Sequence, residues 1–369
     1  MKKFLMYICI LSVTVLIIIN GEQSIVYAKN ALNICYDVII PSLFPFFICS
    51  GLLVYSGFCE SVAKLCRPIM APLFNINGSG AAAFVLGILS GYPLGAVTTC
   101  QLYESRYLSQ SEAERLLAFC NNSGPLFILG SVGISLYSSP KIGILLYAAH
   151  ILSSLTVGII FRFYKRRDYH ALTAEIKNPD RTIGEIFSIV LKNSIQNIFM
   201  VCAAILFFSV AANLAMQYIH ITPWIKSALT GLMEFVTGTV GIAKSPLILP
   251  YKLALSSLIV GFAGLSVHVQ VMSVVARHEL SLKPYIIGKA LHGIIAAVYM
   301  YIIYLIAKPA VGVFNAGTSL DICGGFAIGS VYVMFTVISL LLIVLSVVVW
   351  KLLCEAKALK RQLLNAGRR

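Results

Sequence analysis

Long apolar runs alternate with short polar connectors along nearly all of this 369-residue chain. The runs fall at 4–20, 36–57, 80–103, 124–138, 141–163, 194–219, 229–249, 252–276, 285–307 and 322–350. Most approach or exceed the roughly 20 apolar residues that carry a helix across a bilayer. The pattern predicts an all-α, polytopic integral membrane protein with room for about eight to ten membrane segments.

Several runs are interrupted where a plain span would be smooth. "DVIIPSLFPFF" carries Pro41 and Pro45, and "FVLGILSGYPLGAVTTC" carries Gly87, Gly91, Pro93 and Gly95 at its midpoint. "AFCNNSGPLFILGSVG" sets Asn121, Asn122, Ser123, Gly124 and Pro125 between apolar stretches. "LMEFVTGTVGIAKSPLILP" holds Glu234 and Lys244, and "LIVGFAGLSVHVQV" holds Gly261, Gly264, Ser266, His268 and Gln270. Irregular backbone at membrane depth survives only when protein buries it or a watery cavity meets it. The interruptions therefore predict broken or re-entrant helices. Between the runs, "SQSEAERLLAF" reads as an amphipathic helix capped by Ser109 or Ser111, with Glu112 and Glu114 in its first turn.

The two parts of the chain resemble each other. "GILSGYPLGA" precedes "RYLSQSEAERLLAF", and "GFAGLSVHVQ" precedes "HELSLKPYIIGKAL". Aligning Leu108-Ser109 with Leu280-Ser281 gives a register of about 172 residues, with the glycines one or two residues beyond it. The expected organisation is a single integral domain over 1–369, built from two weakly similar structural repeats. The first covers about 30–163 and the second about 183–308, with a cytoplasmic linker at 164–182 between them. A C-terminal helix at 322–350 and a basic tail at 351–369 complete it. Glycine-broken segments at matching places in two halves point to a transporter's midplane site, so 87–98 and 261–270 are expected to meet around one site.

Composition narrows the class. A mean hydropathy of +0.89 and 11% charged residues exclude a soluble globular domain and exclude disorder. The net charge of +14 abuts apolar runs, at Lys2 and Lys3, at Lys165 to Arg167 and after residue 350. Such placement is topogenic and puts both termini and the linker in the cytoplasm. It does not read as nucleic-acid binding, which would need a basic face on a soluble module. The ten cysteines form no CxxC pair and the six histidines no HExxH, so no metal site or cofactor is expected. The first 20 residues share features with a signal peptide, but the long apolar stretch 4–19 predicts an uncleaved helix.

The polar breaks suggest chemistry. A helix that begins in mid-membrane exposes N–H groups carrying about half a positive charge, which suits carboxylate or phosphate. In "NNSGPLF", Asn122 or Ser123 would cap such a helix and Pro125 would open it. In "SGYPLGA", Ser90, Tyr92 and Pro93 repeat the pattern. Ionisable residues inside apolar runs mark functional sites by their cost, which singles out Glu234, Lys244, His268, Lys289 and His292. The expected substrate-binding set is Ser90, Tyr92, Asn121, Asn122, Ser123, Gly124, Glu234, Ser266, His268, Gln270 and Lys289. Surface turns, interfacial snorkelling and ordinary interhelical hydrogen bonds are the bland alternatives for the same residues.

Together, "PSLFPFF", "GILSGYPLGAVTT", "SEAERLLAFCNNSGPLFILGSVG" and "FAGLSVHVQ" resemble the YlbJ-type sporulation integral membrane proteins. That family lies in the nucleoside-recognition, or Gate, domain superfamily, which is distantly similar to concentrative nucleoside transporters. The resemblance runs from about residue 30 to residue 305, and its specific part is the block 87–133. It implies a place in the membrane around a developing forespore and passage of dipicolinic acid from mother cell toward forespore. That ligand is a flat pyridine with two carboxylates, which suits open helix ends, and Lys244, Lys252 and Lys289 favour an anion. The expected partners are thus a small anionic metabolite and the lipid bilayer, with homo-oligomerisation left open. A nucleoside-type transporter and a non-transporting scaffold for spore assembly are the competing readings. An enzyme is not expected, since no nucleophile–base motif or metal pair appears.

Overall fold

Helix is the rule among residues 2–55, 58–165 and 182–307, which a computed structural model describes, and no strand occurs among them. All of them lie within one compact unit, Met1–Gly312. The helix expected at 322–350, the tail 351–369 and nearly all of the linker 164–182 fall outside the described residues.

The elements in chain order are α1 (Lys2–Ile19), α2 (Gly21–Ile34), a π-helical turn π1 (Cys35–Ile39), α3 (Ile40–Tyr55) and α4 (Phe58–Phe74). Next come α5 (Gly80–Ser90), α6 (Leu94–Glu104), α7 (Gln110–Cys120), the π-helix π2 (Leu126–Leu136) and α8 (Pro140–Phe161). The second part runs α9 (Ile183–Gln217), α10 (Pro223–Met233), α11 (Phe235–Lys244), α12 (Leu249–Phe262), α13 (Gly264–Val275) and α14 (Lys283–Ala307). By length and composition, α8, α9, α12 with α13, and α14 can each cross a membrane, and the bent pair Ile10–Ile19 and Gly21–Asp37 can form a fifth span. Among the described residues this is fewer than their apolar runs alone predict. Helices of 11 residues, such as α5, α6, α10 and π2, rise only about 16 Å, half the hydrocarbon core.

The short helices are explained by folding back. α5 and α6 form a helical hairpin whose tip is Gly91-Tyr92-Pro93, and α10 and α11 form another whose tip is Glu234. Glycines let each pair of backbones close. Gly87 lies against Gly95, with 3.1 Å from an added Cβ to the Gly95 Cα, and a Cβ on Gly238 would collide with the backbone of Gly231. Small residues at such contacts are how helices pack without a hydrophobic drive between them. Gly91 also turns the chain at φ +86, a conformation that favours glycine.

Each hairpin is followed by a broken helix and then a straight one. In the first part these are α7 with π2, interrupted at 121–125, and then α8. In the second part they are α12 with α13, interrupted at Ala263, and then α14. Matching these elements gives a register of about 143 residues, pairing Gly87 with Gly231 and Gly95 with Gly238. The register of about 172 expected from sequence words instead sets the first hairpin against the α12–α13 break.

α7 also differs from expectation. Ser109 caps it in a reciprocal box with Glu112, yet the helix has no solvent face. Glu112, Glu114 and Arg115 are all fully buried. Glu112 Oε1 also accepts from the Asn77 N–H at 2.8 Å. Glu114 accepts from Lys165 Nζ at 2.8 Å, Tyr164 Oη at 3.0 Å and the Ser281 N–H at 2.9 Å. Arg115 donates to the carbonyls of Tyr164 and Lys165. This charged knot ties the start of α7 to the end of α8 and the approach to α14. The Glu114 carboxylate holds the Lys165 ammonium above the ordinary lysine range through their hydrogen bond.

Candidate functional site

Both hairpin tips and both helix breaks face one small cavity, about 40 Å³ in volume. Gly91 and Tyr92 come from the first tip and Phe235 from the second. Ser123, Gly124 and Phe127 come from the α7–π2 break, and Val267 and Gln270 from the helix after Ala263. Ile39, Leu43, Val201 and Ile205 close the apolar side. Each tip is wedged against a break. A Cβ on Gly91 would lie 2.9 Å from the Gly124 nitrogen, and one on Gly264 would lie 3.0 Å from the Phe235 nitrogen. The segments 87–98 and 261–270 both contribute to this cavity, through Gly91 and Tyr92 and through Val267 and Gln270, and Tyr92 Oη donates to the carbonyl of Val260, just before the second segment, at 2.7 Å.

The helix ends around this cavity are not equivalent. Glu234 is fully buried and caps α11, its oxygens accepting from Val236 at 3.0 Å and Thr237 at 2.7 Å. α6, π2 and α13 begin without any side-chain cap. Such ends favour an anion by their dipole, although at α6 the Leu94 and Ala96 N–H groups already bond the Gly91 and Pro93 carbonyls. Ala263 before α13 sits in the left-handed region at φ +75, unusual for a residue with a Cβ and costing about 1–2 kcal/mol. Surrounding structure must over-determine it, as happens at functional sites.

Behind Tyr92 lies a buried cation. Lys289 has no exposure and forms no ion pair among the described residues. Its Nζ reaches the Asn121 carbonyl at 3.1 Å, His292 Nδ1 at 3.2 Å and Tyr92 Oη at 3.4 Å, and stands 5.0 Å from the centre of the Tyr92 ring. His292 Nε2 lies 3.0 Å from the His150 carbonyl, and the two imidazoles lie 4.4 Å apart, tilted by 39°. His150 Nε2 in turn accepts the Ser123 N–H at 3.0 Å. A polar network thus backs the cavity from Tyr92 on one side to Ser123 on the other.

The remaining expected residues divide. Asn122 does not cap π2: its Nδ2 turns back to the Phe119 carbonyl at 2.9 Å and ends α7, leaving Oδ1 buried without a partner. Ser123 bonds through its backbone rather than its hydroxyl, and Pro125 stands at the cap position of π2. Asn121 supplies its carbonyl to Lys289, and Ser90 is buried at the end of α5 beside Gly91. His268 gives Nδ1 to the Gly264 carbonyl at 2.7 Å. Its Nε2 is buried and unpartnered, as are Ser266 Oγ and Gln270 Oε1. Buried polar atoms without partners are few in folded proteins and call for an explanation such as a ligand or water. Lys244 and Lys252 do not join the site. Lys244 is exposed, and Lys252 donates to the Ala243 carbonyl at 2.9 Å, closing the end of α11.

Sequence reasoning missed three contributors. His150 carries the Ser123 N–H, and its isolation within "LLYAAHILSS" was the available signal. Phe127 and Phe235 were missed because aromatics in apolar runs look like core. Their rings stand 5.1 Å apart, and Phe235 meets Tyr92 edge-on at 5.7 Å. No cluster of three or more His, Cys, Asp or Glu able to hold a metal occurs among the described residues.

Fold and site together define a polytopic α-helical membrane protein with interrupted helices gathered around a buried polar cavity. The nucleoside recognition family, Gate, matches residues 37–123, a segment that includes the first hairpin and ends inside the α7–π2 break. The chain is 32% identical over 330 residues to the sporulation integral membrane protein YlbJ of Bacillus subtilis (strain 168), covering 80% of this chain and 81% of that one. The chain belongs to the family of YlbJ-type sporulation integral membrane proteins. No solved structure matches it.

Proposed function

We propose that this protein is a permease for a small anionic metabolite in a sporulating bacterium, with dipicolinate, carried from mother cell toward forespore, as its substrate. The observation that carries this reading is a cavity lined by the turn before α6, the start of π2 and the first two turns of α13, none of these helices capped by a side chain, with a lysine without an acidic partner behind Tyr92. Each element favours negative charge, and together they suit carboxylates more than neutral groups. Tyr92, Phe127 and Phe235 supply faces and edges for a flat ring between those charges.

The cavity of about 40 Å³ is far below the roughly 300–1,000 Å³ of ligand sites, so the conformation described is closed. Admission of substrate requires a hairpin tip to withdraw from its break. The Tyr92–Phe235 and Gly91–Gly124 contacts are the seams that would part.

A second reading is favoured by the same three aromatics and by the description of the matching family. In it the substrate is a nucleoside, stacked on those rings and recognised by Asn122, Ser266 and Gln270. Uptake of labelled dipicolinate into proteoliposomes, with unlabelled nucleosides as competitors, separates the two. The anion reading expects saturable uptake that nucleosides leave intact. Uptake of nucleoside with none of dipicolinate would replace it, and uptake of neither would favour a non-transporting scaffold.

A further inference from the structure

Lys289 is surrounded by hydrogen-bond partners but by no opposite charge. An ammonium has three N–H donors, and the Asn121 carbonyl, His292 Nδ1 and Tyr92 Oη stand within 3.1–3.4 Å of Nζ. Each can accept. Tyr92 gives its own proton to the Val260 carbonyl, and His292 can give its Nε2 proton to the His150 carbonyl. The hydrogen bonds of the ammonium are therefore met, but its charge is not. The titratable groups around it are Tyr92 from the first hairpin, Cys120 from α7, His150 from α8, His268 from α13, and Tyr285 and His292 from α14 itself. None is a carboxylate. The acids of α7, Glu112 and Glu114, lie roughly 10 Å or more further along that helix by its rise per residue and are committed elsewhere.

The amine form also has a network available. If Tyr92 swings its hydroxyl from Val260 toward Nζ, it becomes a donor and Nζ keeps a lone pair, while His292 keeps its proton on Nε2 facing the His150 carbonyl. A hydroxyl rotor reverses in this way without moving heavy atoms. The site thus accommodates either protonation state, and what distinguishes them is whether a negative charge is nearby. The cavity that would hold that charge begins at the other face of Tyr92 and at Ser123, whose N–H is bonded to His150.

We infer that a proton on Lys289 and the substrate anion occupy this site together, making the protein a proton–anion cotransporter. The inference rests on the anion reading above. The proton comes from solvent, adds to the Nζ lone pair when a carboxylate enters the cavity, and leaves when the carboxylate departs. No other bond forms or breaks. A dianion then crosses with one of its charges balanced by the lysine.

Linkage makes this measurable. If binding takes up one proton, the apparent affinity falls up to about tenfold per pH unit as the free site loses its proton. The experiment uses the detergent-purified full chain with dipicolinate as probe, from about pH 6, where its carboxylates are ionised by ordinary carboxyl values, up to about pH 9.5. Affinity is measured by calorimetry, and proton uptake is read on the same native protein in weakly buffered solution with a pH indicator. Uptake of close to one proton per ligand, with affinity weakening at high pH, is expected. In Lys289→Arg, whose guanidinium keeps its proton, any residual binding should lose both the pH dependence and the proton uptake. Dipicolinate binding by the native protein that is independent of pH and takes up no proton overturns the inference while leaving the anion reading intact. No dipicolinate binding at any pH, with nucleoside binding present, overturns the anion reading and this inference with it.

Discussion

At the tip of the second hairpin, Glu234 fills the start of α11 with its own carboxylate. At the tip of the first, Gly91-Tyr92-Pro93 leads into α6 with no side-chain cap, and the carbonyls of Gly91 and Pro93 take the Leu94 and Ala96 N–H groups. The two hairpins share length, glycine contacts and place in the order of elements, so the difference isolates one variable. The fold itself places a carboxyl group at a helix start in this interior. One half supplies that carboxylate from the chain, and in our reading the substrate supplies it to the other. The comparison yields four predictions.

The largest effect should come from the contact that makes either hairpin possible. A methyl on Gly95 would meet the carbonyl of Cys120, with its carbon only 2.7 Å away, and backbone cannot retreat as a side-chain tip can. Gly95→Ala should cost about 3 kcal/mol or more and leave little folded protein in the membrane. Gly238→Ala should do the same in the second hairpin, where the methyl meets Gly231. Gly130→Ala, with its nearest neighbour a Leu126 methyl at 3.5 Å, is the control and should be near neutral. The monodisperse fraction after detergent extraction reads all three. If Gly95→Ala behaves like Gly130→Ala, the first hairpin does not pack on the end of α7 as described.

Next is Lys289→Met. Removing the buried amine deletes the group that carries a positive charge beside a bound anion, and uptake of dipicolinate should fall by about a hundredfold, near 2.7 kcal/mol. Stability should not fall with it. A buried amine without an acidic partner is costly to desolvate, and an apolar side chain of similar length relieves that cost. Thermal unfolding of the purified variant should therefore match the native protein or exceed it. A variant that transports normally would remove the cation from the site.

Asn122→Leu should have a smaller effect, about tenfold in apparent affinity. Oδ1 of Asn122 is buried and has no partner; as an acceptor it can serve an ionised dicarboxylate through a bridging water, or the amide can turn its Nδ2 to the ligand instead. Losing one hydrogen bond of this kind is worth about 1–2 kcal/mol. Loss of the Nδ2 bond to Phe119 adds a stability cost, so affinity must be compared at equal amounts of folded protein. Unchanged kinetics would return the segment to a structural turn.

Much of this arrangement was legible in the residues. Glycine, proline and polar side chains inside apolar runs marked all four interruptions, because lipid cannot satisfy the backbone groups that such breaks release. They did not say whether a break makes a hairpin or a bent helix. That depends on whether Gly87 and Gly231 find facing glycines, which is a tertiary fact. Lys289 was legible as a costly residue. Its partners were not, since Tyr92, Asn121 and His292 come from three separate elements. α7 misled for a definite reason. Glu112, Glu114 and Arg115 imitate a solvent face, and only the backbone donors of Asn77 and Ser281 and the carbonyls of Tyr164 and Lys165 reveal that each is bonded in the interior.

The smallest effect tests the comparison most directly. Glu234 stood among the expected substrate-binding residues, whereas its oxygens are engaged by Val236 and Thr237. Glu234→Gln keeps the shape of the cap and one accepting oxygen, but turns an amide NH₂ toward the second donor and removes the charge that the α11 dipole favours. A cost of about 1 kcal/mol in stability is expected, the ordinary worth of an N-cap. Dipicolinate uptake should stay within about twofold of native, because a capping group acts on the helix and not on the ligand. Thermal unfolding and initial uptake rates on the same preparation separate the two effects. A fall of about tenfold in apparent affinity with unchanged stability would make Glu234 a ligand-binding group. The two hairpin tips would then contribute alike, and the reading in which substrate takes at one tip the place that Glu234 takes at the other would fail.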